Sequence, residues 1–159
     1  MLFVKQPYGI NNLLLMKANQ IQKYNKKNLP ALLMIATRHF NRFIRDRDRS
    51  GDYFRCITCG QVKRIEGRNY HACHYFPAGL YPWLRFDEDN VHGGCLQCNY
   101  FKHGAGYAYT EPLVAKIGEK RYEALLMRKD STRGFKWDRF TIIDIILKYD
   151  SKGEKGTNK

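Results

Sequence analysis

Two Cys-x-x-Cys pairs constrain this 159-residue chain more than any other feature of its sequence. The first pair is Cys56 and Cys59, followed directly by Gly60, and the second is Cys95 and Cys98. Each pair favours a tight turn that points two thiolates inward, and two such turns complete a tetrahedral four-thiolate site. Disulfides or four unrelated buried cysteines are the alternatives, but nothing in the sequence suggests secretion. We therefore expect a structural Zn²⁺ that joins two segments distant in sequence.

The residues between the two pairs predict two strands. Residues 69–76 are rich in aromatic side chains and carry two histidines, His71 and His74. Residues 86–92 indicate a turn that leads into a second strand, and this turn contains Asn90.

A helix is expected to follow the second strand, starting at Cys98. Asn99 and His103 stand four residues apart, so an α-helix would place them on one face. Two strands and a helix that carry a histidine, an asparagine and a pair of metal ligands form the layout of a ββα-metal (HNH) nuclease. The predicted fold class is α+β: a small HNH-like core, clipped by the four-cysteine zinc site and surrounded by helices on both flanks.

Several motifs agree in order and spacing with those of the phage NinG/Rap family of recombination nucleases, which the chain resembles from about residue 43 to about residue 149. These motifs are Cys-x-x-Cys-Gly, His-Ala-x-His-Tyr, the run Leu84–Gly93, Cys-x-x-Cys-Asn and His103-Gly104. Where we expect a glycine between the two histidines, this chain has Cys73. The resemblance implies an endonuclease that acts on branched DNA such as D-loops and Holliday junctions.

The resemblance also implies a role for each residue of the site. His74 is the general base, a role that suits a group with an unperturbed pKa near neutrality. Asn99 and His103 hold a catalytic Mg²⁺ or Mn²⁺. Asn90 bonds across the loop and keeps the end of the first strand in shape. His92 is expected to be structural or to contact DNA rather than to bind the metal.

The third ligand of the catalytic metal stays open among His71, Cys73 and water. Strand alternation puts residues 71 and 73 on the face opposite residue 74. Cys73 stands beside the base, whereas His71 lies one strand repeat, roughly 6.6 Å, further back. We favour His71 as a site residue and Cys73 as a small buried side chain.

The charge of the chain indicates a polyanionic partner. The net charge is +13, and the excess lies in the flanks: residues 1–55 carry eleven Lys and Arg against three acids, residues 56–110 five against four, and residues 111–159 twelve against eight. The predicted DNA contacts are Arg42, Arg45, Arg47, Arg49, Trp83 and Arg85. A self-paired, solvated face is the alternative for the alternating Arg–Asp run 45–49, and simple packing is the alternative for Trp83.

Four segments are expected along the chain. Residues 1–55 form a basic helical arm, 56–110 the zinc-clipped core, 111–150 helices packed on that core, and 151–159 a disordered tail. Helices are predicted over residues 13–27, from Pro30, from Glu111-Pro112, over 119–129 and from Trp137-Asp138. The last helix is almost wholly apolar, so it is either buried or half of a homodimer interface.

The sequence offers no continuous apolar span, lipidation motif or signal peptide, which argues against a membrane partner. Five cysteines, four of them assigned to zinc, indicate a reducing cytoplasm, which the phage resemblance makes that of the bacterial host. The expected function is a metal-dependent DNA endonuclease of phage recombination. A non-catalytic, zinc-containing DNA-binding module is the alternative, and an RNA-directed nuclease is a third reading.

Overall fold

A computed structural model describes residues 19, 21–101, 106–130 and 134–153. The chain is a mixture of helices and small sheets, which confirms the predicted α+β class. Most of the predicted helix over residues 13–27, and residues 154–159 of the predicted tail, lie outside the described ranges. Residues 21–25 are helical, and a turn at 26–27 ends them where the sequence predicts a stop.

The elements follow one another in a simple order. Helix α1 (Leu29–Asp48) leads into strands β1 (Arg49–Ser50), β2 (Tyr53–Arg55), β3 (Val62–Arg64), β4 (Tyr70–His74) and β5 (Val91–Cys95). A 3₁₀ helix, Pro82–Leu84, lies between β4 and β5, and a π-helical turn, Gln97–Phe101, follows β5. Helices α2 (Gly106–Ile117), α3 (Glu119–Asp130) and α4 (Arg139–Gly153) come last. Strands β1, β2 and β3 form one antiparallel sheet, and β4 and β5 form a second.

Helix α1 has the start and the buried stripe that its sequence predicts. The side chain of Asn28 accepts a hydrogen bond from the Ala31 N–H at 2.9 Å, which satisfies one of the free donors of the first turn. Pro30 stands in that turn, where it breaks no hydrogen bond. The buried positions recur at helical spacing: Leu32, Ala36, Phe40 and Ile44.

Helix α4 packs against α1, which confirms its predicted burial within the chain. Asp138 caps it by accepting a hydrogen bond from the Thr141 N–H at 3.0 Å. The Phe40 ring of α1 meets the Tyr149 ring of α4 edge to face, with centroids 5.0 Å apart. The helix continues to Gly153, so the predicted start of the tail at residue 151 is wrong.

The β4–β5 pair lies between α1 and α2. Its register joins Tyr70 to Cys95 at one end and His74 to Val91 at the other. The Tyr70 hydroxyl donates to the carbonyl of Arg45 in α1 at 2.9 Å. From the opposite side, the Tyr109 hydroxyl of α2 donates to the Cys73 carbonyl, also at 2.9 Å.

Two buried glycines of β5 permit this close packing. A Cβ atom at Gly94 would lie 2.6 Å from the sulfur of Cys73, and one at Gly93 would lie 2.6 Å from the Tyr70 hydroxyl. Both distances are shorter than non-bonded contacts allow. A larger residue at either position would therefore force β5 away from its neighbours.

Helix α2 corrects a sequence prediction. It is already formed at Gly106 and carries Pro112 in its interior, so the predicted start at Glu111-Pro112 is wrong. Tyr109 and Leu113 are both buried against the sheet side of the core, and this packing continues through the proline, which by itself disfavours a helix interior. The predicted segment boundary at 110/111 consequently falls inside a helix.

None of the helices in the described ranges combines the length and the apolar character needed to cross a membrane.

The α1–α4 interface predicts a sharp contrast between two phenylalanines. Phe40 is fully buried, whereas Phe140 is 74% exposed. Phe40→Ala should lower the free energy of unfolding by about 3–5 kcal/mol, because it leaves a cavity between the helices. Phe140→Ala should change it by less than about 0.5 kcal/mol. Urea unfolding of the zinc-loaded variants measures both values, and equal losses would contradict the described interface.

Candidate metal centre and histidine site

The four cysteines of the two pairs converge on one point. Cys56 and Cys59 lie in the turn between β2 and β3, Cys95 ends β5, and Cys98 lies in the π-helical turn. Their sulfur atoms all lie within 4.8 Å of one another. Tetrahedral zinc with bonds of about 2.3 Å needs sulfur atoms roughly 3.8 Å apart, so the cluster fits the ion after a small contraction. The predicted arrangement to hold a metal ion is confirmed, and it is consistent with structural zinc.

The local backbone prepares these sulfur atoms for a metal. Gly60 adopts φ +69°, and its N–H donates to the Cys56 carbonyl at 2.9 Å, which closes the first turn. Burial opposes ionisation of the Cys56 thiol, but backbone N–H groups of Cys59, Cys95 and Thr58 outweigh it and lower the pKa to about 7. None of the cysteines forms a disulfide. The four sulfur atoms are therefore available to a metal, and a bound Zn²⁺ would hold them as thiolates.

The fifth cysteine, Cys73, is separate from this cluster. It is buried on the α2 side of β4, next to Gly94 and Leu84. Burial, with a smaller contribution from the neighbouring thiols, raises the pKa of the Cys73 thiol well above its usual value. The Cys73 sulfur lies outside the four-sulfur cluster and is enclosed by apolar neighbours, so the structure favours a small buried side chain over a metal ligand.

His74 ends β4 and has a fixed tautomer. Its Nε2 lies 3.0 Å from the carbonyl oxygen of Arg85. Because a carbonyl oxygen only accepts, Nε2 must carry the proton, and Nδ1 therefore holds the lone pair. Burial is the main cause that lowers the pKa of His74 below its usual 6.5. The ring is thus neutral near pH 7, and the nitrogen able to take a proton is Nδ1.

Asn90 ties the loop between β4 and β5 directly behind His74. The side chain is fully buried, and its Nδ2 donates to the carbonyls of Phe76 and Leu84, each at 3.0 Å. Its Oδ1 accepts a hydrogen bond from the Phe76 N–H at 2.8 Å. Three bonds from one amide therefore fix the chain where it leaves β4 and where it approaches Arg85.

A buried carboxylate that the sequence analysis missed lies beside this loop. Asp48 accepts hydrogen bonds from Arg47 at 2.8 Å, from Lys116 of α2 at 2.8 Å and from the Gly93 N–H of β5 at 2.7 Å. Burial by itself would raise the Asp48 pKa, but these partners outweigh it and hold the pKa well below the usual range. The sequence analysis missed Asp48 because the alternating Arg–Asp run 45–49 has no local pattern that shows which of its side chains turn inward.

His92 is held on both of its ring nitrogens. Its Nε2 donates to the Asp89 carbonyl at 3.0 Å, and its Nδ1 accepts a hydrogen bond from Arg47 at 3.0 Å. Burial is the main cause that lowers the His92 pKa to about 4, and the nearby cations Lys116 and Arg47 lower it further. Of the two predicted roles, structural or DNA-contacting, the geometry favours the structural one.

The remaining ligand candidates are only partly placed. The Nε2 of His71 lies 2.8 Å from the Arg68 carbonyl, on the strand face opposite His74. Asn99 is partly buried in the π-helical turn, so the expected α-helix from Cys98 is wrong in its first residues, and four-residue spacing does not by itself define one face there. His103 lies outside the described residues. The metal roles of His71, Asn99 and His103 stay predictions.

The arginines predicted to contact DNA divide into two groups. Arg47 points inward, where it also donates to the carbonyls of Glu88 at 3.1 Å and Val91 at 2.9 Å. Arg42 and Arg49 both pair with Asp46, at 3.7 and 3.2 Å, so the self-paired alternative describes part of this face. The geometry favours a structural role for Arg47. DNA contacts by Arg42, Arg45, Arg49 and Arg85 stay predictions.

Trp83 is packed rather than free. Its indole N–H donates to the Arg128 carbonyl of α3 at 2.8 Å. Its ring meets those of Tyr81 and Phe135 edge to face, at 5.6 and 6.4 Å. These contacts favour simple packing over a wedge that enters DNA.

Comparison with known proteins decides the family. The family model described as Bacteriophage Lambda NinG protein matches residues 16–158. The chain belongs to the NinG family. The proteins named Protein ninG of Escherichia phage 933W and Escherichia phage lambda are 36% and 35% identical to this family member over 85 residues, which is 54% of this chain and 39% of theirs. Protein ninG of Salmonella phage P22 is 40% identical over 78 residues, 49% of this chain and 36% of its own length.

This NinG family member therefore spans less than two fifths of the length of each of these relatives. No solved structure matches the chain.

The metal centre predicts that two cysteine substitutions behave differently. Cys98→Ser should remove bound zinc and unfold the core, because structural zinc contributes on the order of 10 kcal/mol to folding in small zinc domains. Cys73→Ala removes a sulfur of similar burial and should retain the zinc. Elemental analysis and thermal melting measure both. Loss of zinc from Cys73→Ala would contradict the assignment of the four ligands.

The environment of His92 predicts a loss of stability in mild acid. Its folded pKa of about 4 lies below the usual 6.5, so the unfolded chain takes up a proton first as the pH falls. The contribution is fully present above pH 6.5 and should decline between pH 6.5 and 4, by up to about 3 kcal/mol.

Urea unfolding of wild type and His92→Gln across this range measures the effect, with zinc content followed at each pH. The variant should be less stable at pH 7 and show a flatter profile. Parallel profiles would show that thiolate protonation, rather than His92, governs the acid response.

Proposed function

We propose that this chain is a metal-dependent DNA endonuclease, in which His74 activates the water that attacks a phosphodiester. The observation that carries the proposal is the state of the His74 ring: partly buried, neutral and protonated on Nε2 by its bond to the Arg85 carbonyl. A general base needs a lone pair in a defined direction and a pKa at or below the working pH. Nδ1 of His74 meets both requirements.

The surrounding elements support an HNH-like core. The antiparallel pair β4 and β5 is followed by helical segments, and the candidate base ends the first strand. Zinc would sit at the Tyr70–Cys95 end of this pair, whereas His74 lies four residues along β4, about 13 Å away. This separation supports a structural role for the zinc, with the proposed chemistry at the histidine end of the pair.

In the proposed step, the oxygen of water forms a bond to phosphorus while the bond from phosphorus to the 3′ oxygen breaks. Nδ1 of His74 takes the proton of the water. Asn90 acts as a positioning residue, because its three hydrogen bonds hold the loop that carries the Arg85 carbonyl. Asn99 and His103 are proposed to hold Mg²⁺ or Mn²⁺, which would relieve charge on the phosphate and the leaving oxygen.

The proposed substrate class is supported by the charge of the chain and by its resemblance to phage recombination nucleases. The net charge of +13 favours a polyanion. We propose branched DNA of phage recombination, such as D-loops and Holliday junctions, and action in the cytoplasm of the bacterial host. A homodimer would suit the symmetry of a four-way junction.

A second function is compatible with the metal centre. A zinc-containing module that binds DNA without cutting it would use the same four thiolates and the same basic flanks. Such a module would not need His74 to have a fixed tautomer, nor the loop beside it to be held by Asn90. The two functions differ in whether His74 matters after DNA has bound.

Replacement of His74 distinguishes them. His74→Ala should lower the rate of junction cleavage by about two to four orders of magnitude and leave junction affinity nearly unchanged, because a general base acts in the chemical step. His39→Gln is the matched control: His39 contacts Asp150 across the α1–α4 interface at 3.4 Å and should cut at the wild-type rate. Cleavage and binding are measured on the same four-way junction with Mg²⁺ or Mn²⁺.

The pH profile gives a second measurement. The lowered pKa of His74 means that the wild-type rate should rise with pH through a midpoint below 6.5 and then level off. Equal cutting by wild type and His74→Ala, or no cutting by wild type on branched and linear DNA with either metal, would leave the DNA-binding module as the function.

A further inference from the structure

The sheet formed by β1, β2 and β3 has one face that packs inward and one that faces solvent. Phe54 of β2 points inward, is 1% exposed and stacks on Tyr70, with ring centroids 4.2 Å apart. Its neighbours Tyr53 and Arg55 must point outward, because successive side chains of a strand alternate between faces. Tyr53 is 51% exposed.

The register places four outward side chains next to one another. Tyr53 stands opposite Arg64, and Arg55 stands opposite Val62, which is 56% exposed. We call these four residues the outer sheet face. A groove of about 290 Å³ borders it and is lined partly by Arg49, Tyr53 and Arg55.

The charge of this region favours an anionic occupant. Residues 49–64 contain four Lys and Arg and a single acid, Asp52. Arg49 is partly neutralised by Asp46 at 3.2 Å, and Arg55 donates to the Gly60 carbonyl at 2.8 Å, which keeps its positive charge beside the zinc turn. The four-cysteine cluster joins this turn to the end of β5.

We propose that the outer sheet face binds single-stranded DNA, with a base stacked on Tyr53 and the adjacent phosphates held by Arg55 and Arg64. An exposed aromatic ring flanked by cations suits this ligand, because every base offers a π-face and every nucleotide a negative charge. The inference rests on the proposed function for its DNA substrate and deepens it. A D-loop exposes a displaced single strand, so this face would favour D-loops over fully paired DNA.

A simpler account of the cations is charge compensation. Four thiolates and one Zn²⁺ carry a net charge of −2, which nearby arginines would partly neutralise. That account predicts weaker zinc binding when Arg64 is neutralised, and it assigns nothing to the Tyr53 ring. The two accounts therefore differ in zinc content and in the effect of the ring.

The test measures binding of a fluorescent oligo-dT strand by anisotropy, using zinc-loaded protein without added Mg²⁺ or Mn²⁺. Tyr53→Ala should weaken binding about 5- to 100-fold, the range expected for loss of one base stack, whereas Tyr53→Phe keeps the ring and should bind within about 2-fold of wild type. Arg64→Gln should weaken binding and reduce the slope of log affinity against log salt by about 0.7. Lys120→Gln removes the same charge from α3 and should change affinity by less than about 2-fold.

Several results would overturn the proposal. Equal affinity of Tyr53→Ala and wild type would exclude stacking, and zinc loss from Arg64→Gln would support charge compensation instead. Tighter binding of an RNA strand of the same length would exclude DNA as the preferred ligand. Self-association that depends on Tyr53, without oligonucleotide binding, would assign this face to a second copy of the chain.

The outcome is separable from that of the nuclease proposal. His74→Ala should bind oligo-dT like wild type, since His74 lies on the β4–β5 sheet and not on the outer sheet face. Cleavage of a junction equally by wild type and Tyr53→Ala, with equal oligo-dT binding, would retain the nuclease and reject the platform. Binding of oligo-dT that depends on Tyr53, without cleavage by wild type, would retain the platform and reject the nuclease.

Discussion

Four cysteine sulfur atoms hold together two sheets that would be marginal alone. Strands β1 to β3 have two or three residues each, and β4 and β5 form a single pair of five-residue strands. The four-cysteine cluster joins the β2–β3 turn to the end of β5. Because Cys95 pairs with Tyr70, a metal at this point also fixes the register of the pair, and the register carries through to His74 opposite Val91. A structural ion would thus position a residue about 13 Å away without touching it.

The buried carboxylate of Asp48 complements the metal at the other side of the pair. It joins the end of α1 to Gly93 of β5 and Lys116 of α2, and Arg47 extends the same network to the loop before β5. A buried charge is tolerated only when its partners compensate for lost hydration, and here the partners come from three elements. Removing one partner would leave the charge of Asp48 only partly compensated. The network therefore favours the observed arrangement of α1, β5 and α2.

The sequence predicts those features whose causes are local. The four-cysteine cluster follows from spacing within each pair, and the start of α1 follows from Asn28 and Pro30. The features that it misses depend on distant partners. Asp48 turns inward because the Gly93 N–H and the Lys116 ammonium donate to its carboxylate, and nothing near Asp48 in the sequence shows this. Helix α2 extends through Pro112 because Tyr109 and Leu113 pack on either side of it, and the π-helical turn after β5 has no signal that separates it from an α-helix. Membership of the NinG family is confirmed, whereas the catalytic roles assigned by resemblance stay predictions.

The hydrogen bonds of the histidines bear on the proposed choice of general base. Both nitrogens of His92 are engaged, so it is a structural ring despite its place next to the motif. His71 and His74 each have Nε2 on a carbonyl, and among the described residues no partner occupies Nδ1 of either ring. The two differ in what carries the carbonyl. His71 contacts the Arg68 carbonyl, which belongs to a surface turn. His74 contacts the Arg85 carbonyl, which belongs to a loop held by the fully buried amide of Asn90. A general base must keep its lone pair in one direction through the proposed reaction. Of the two carbonyls, the one that His74 contacts is held by such a network, which is why we propose His74 as the base.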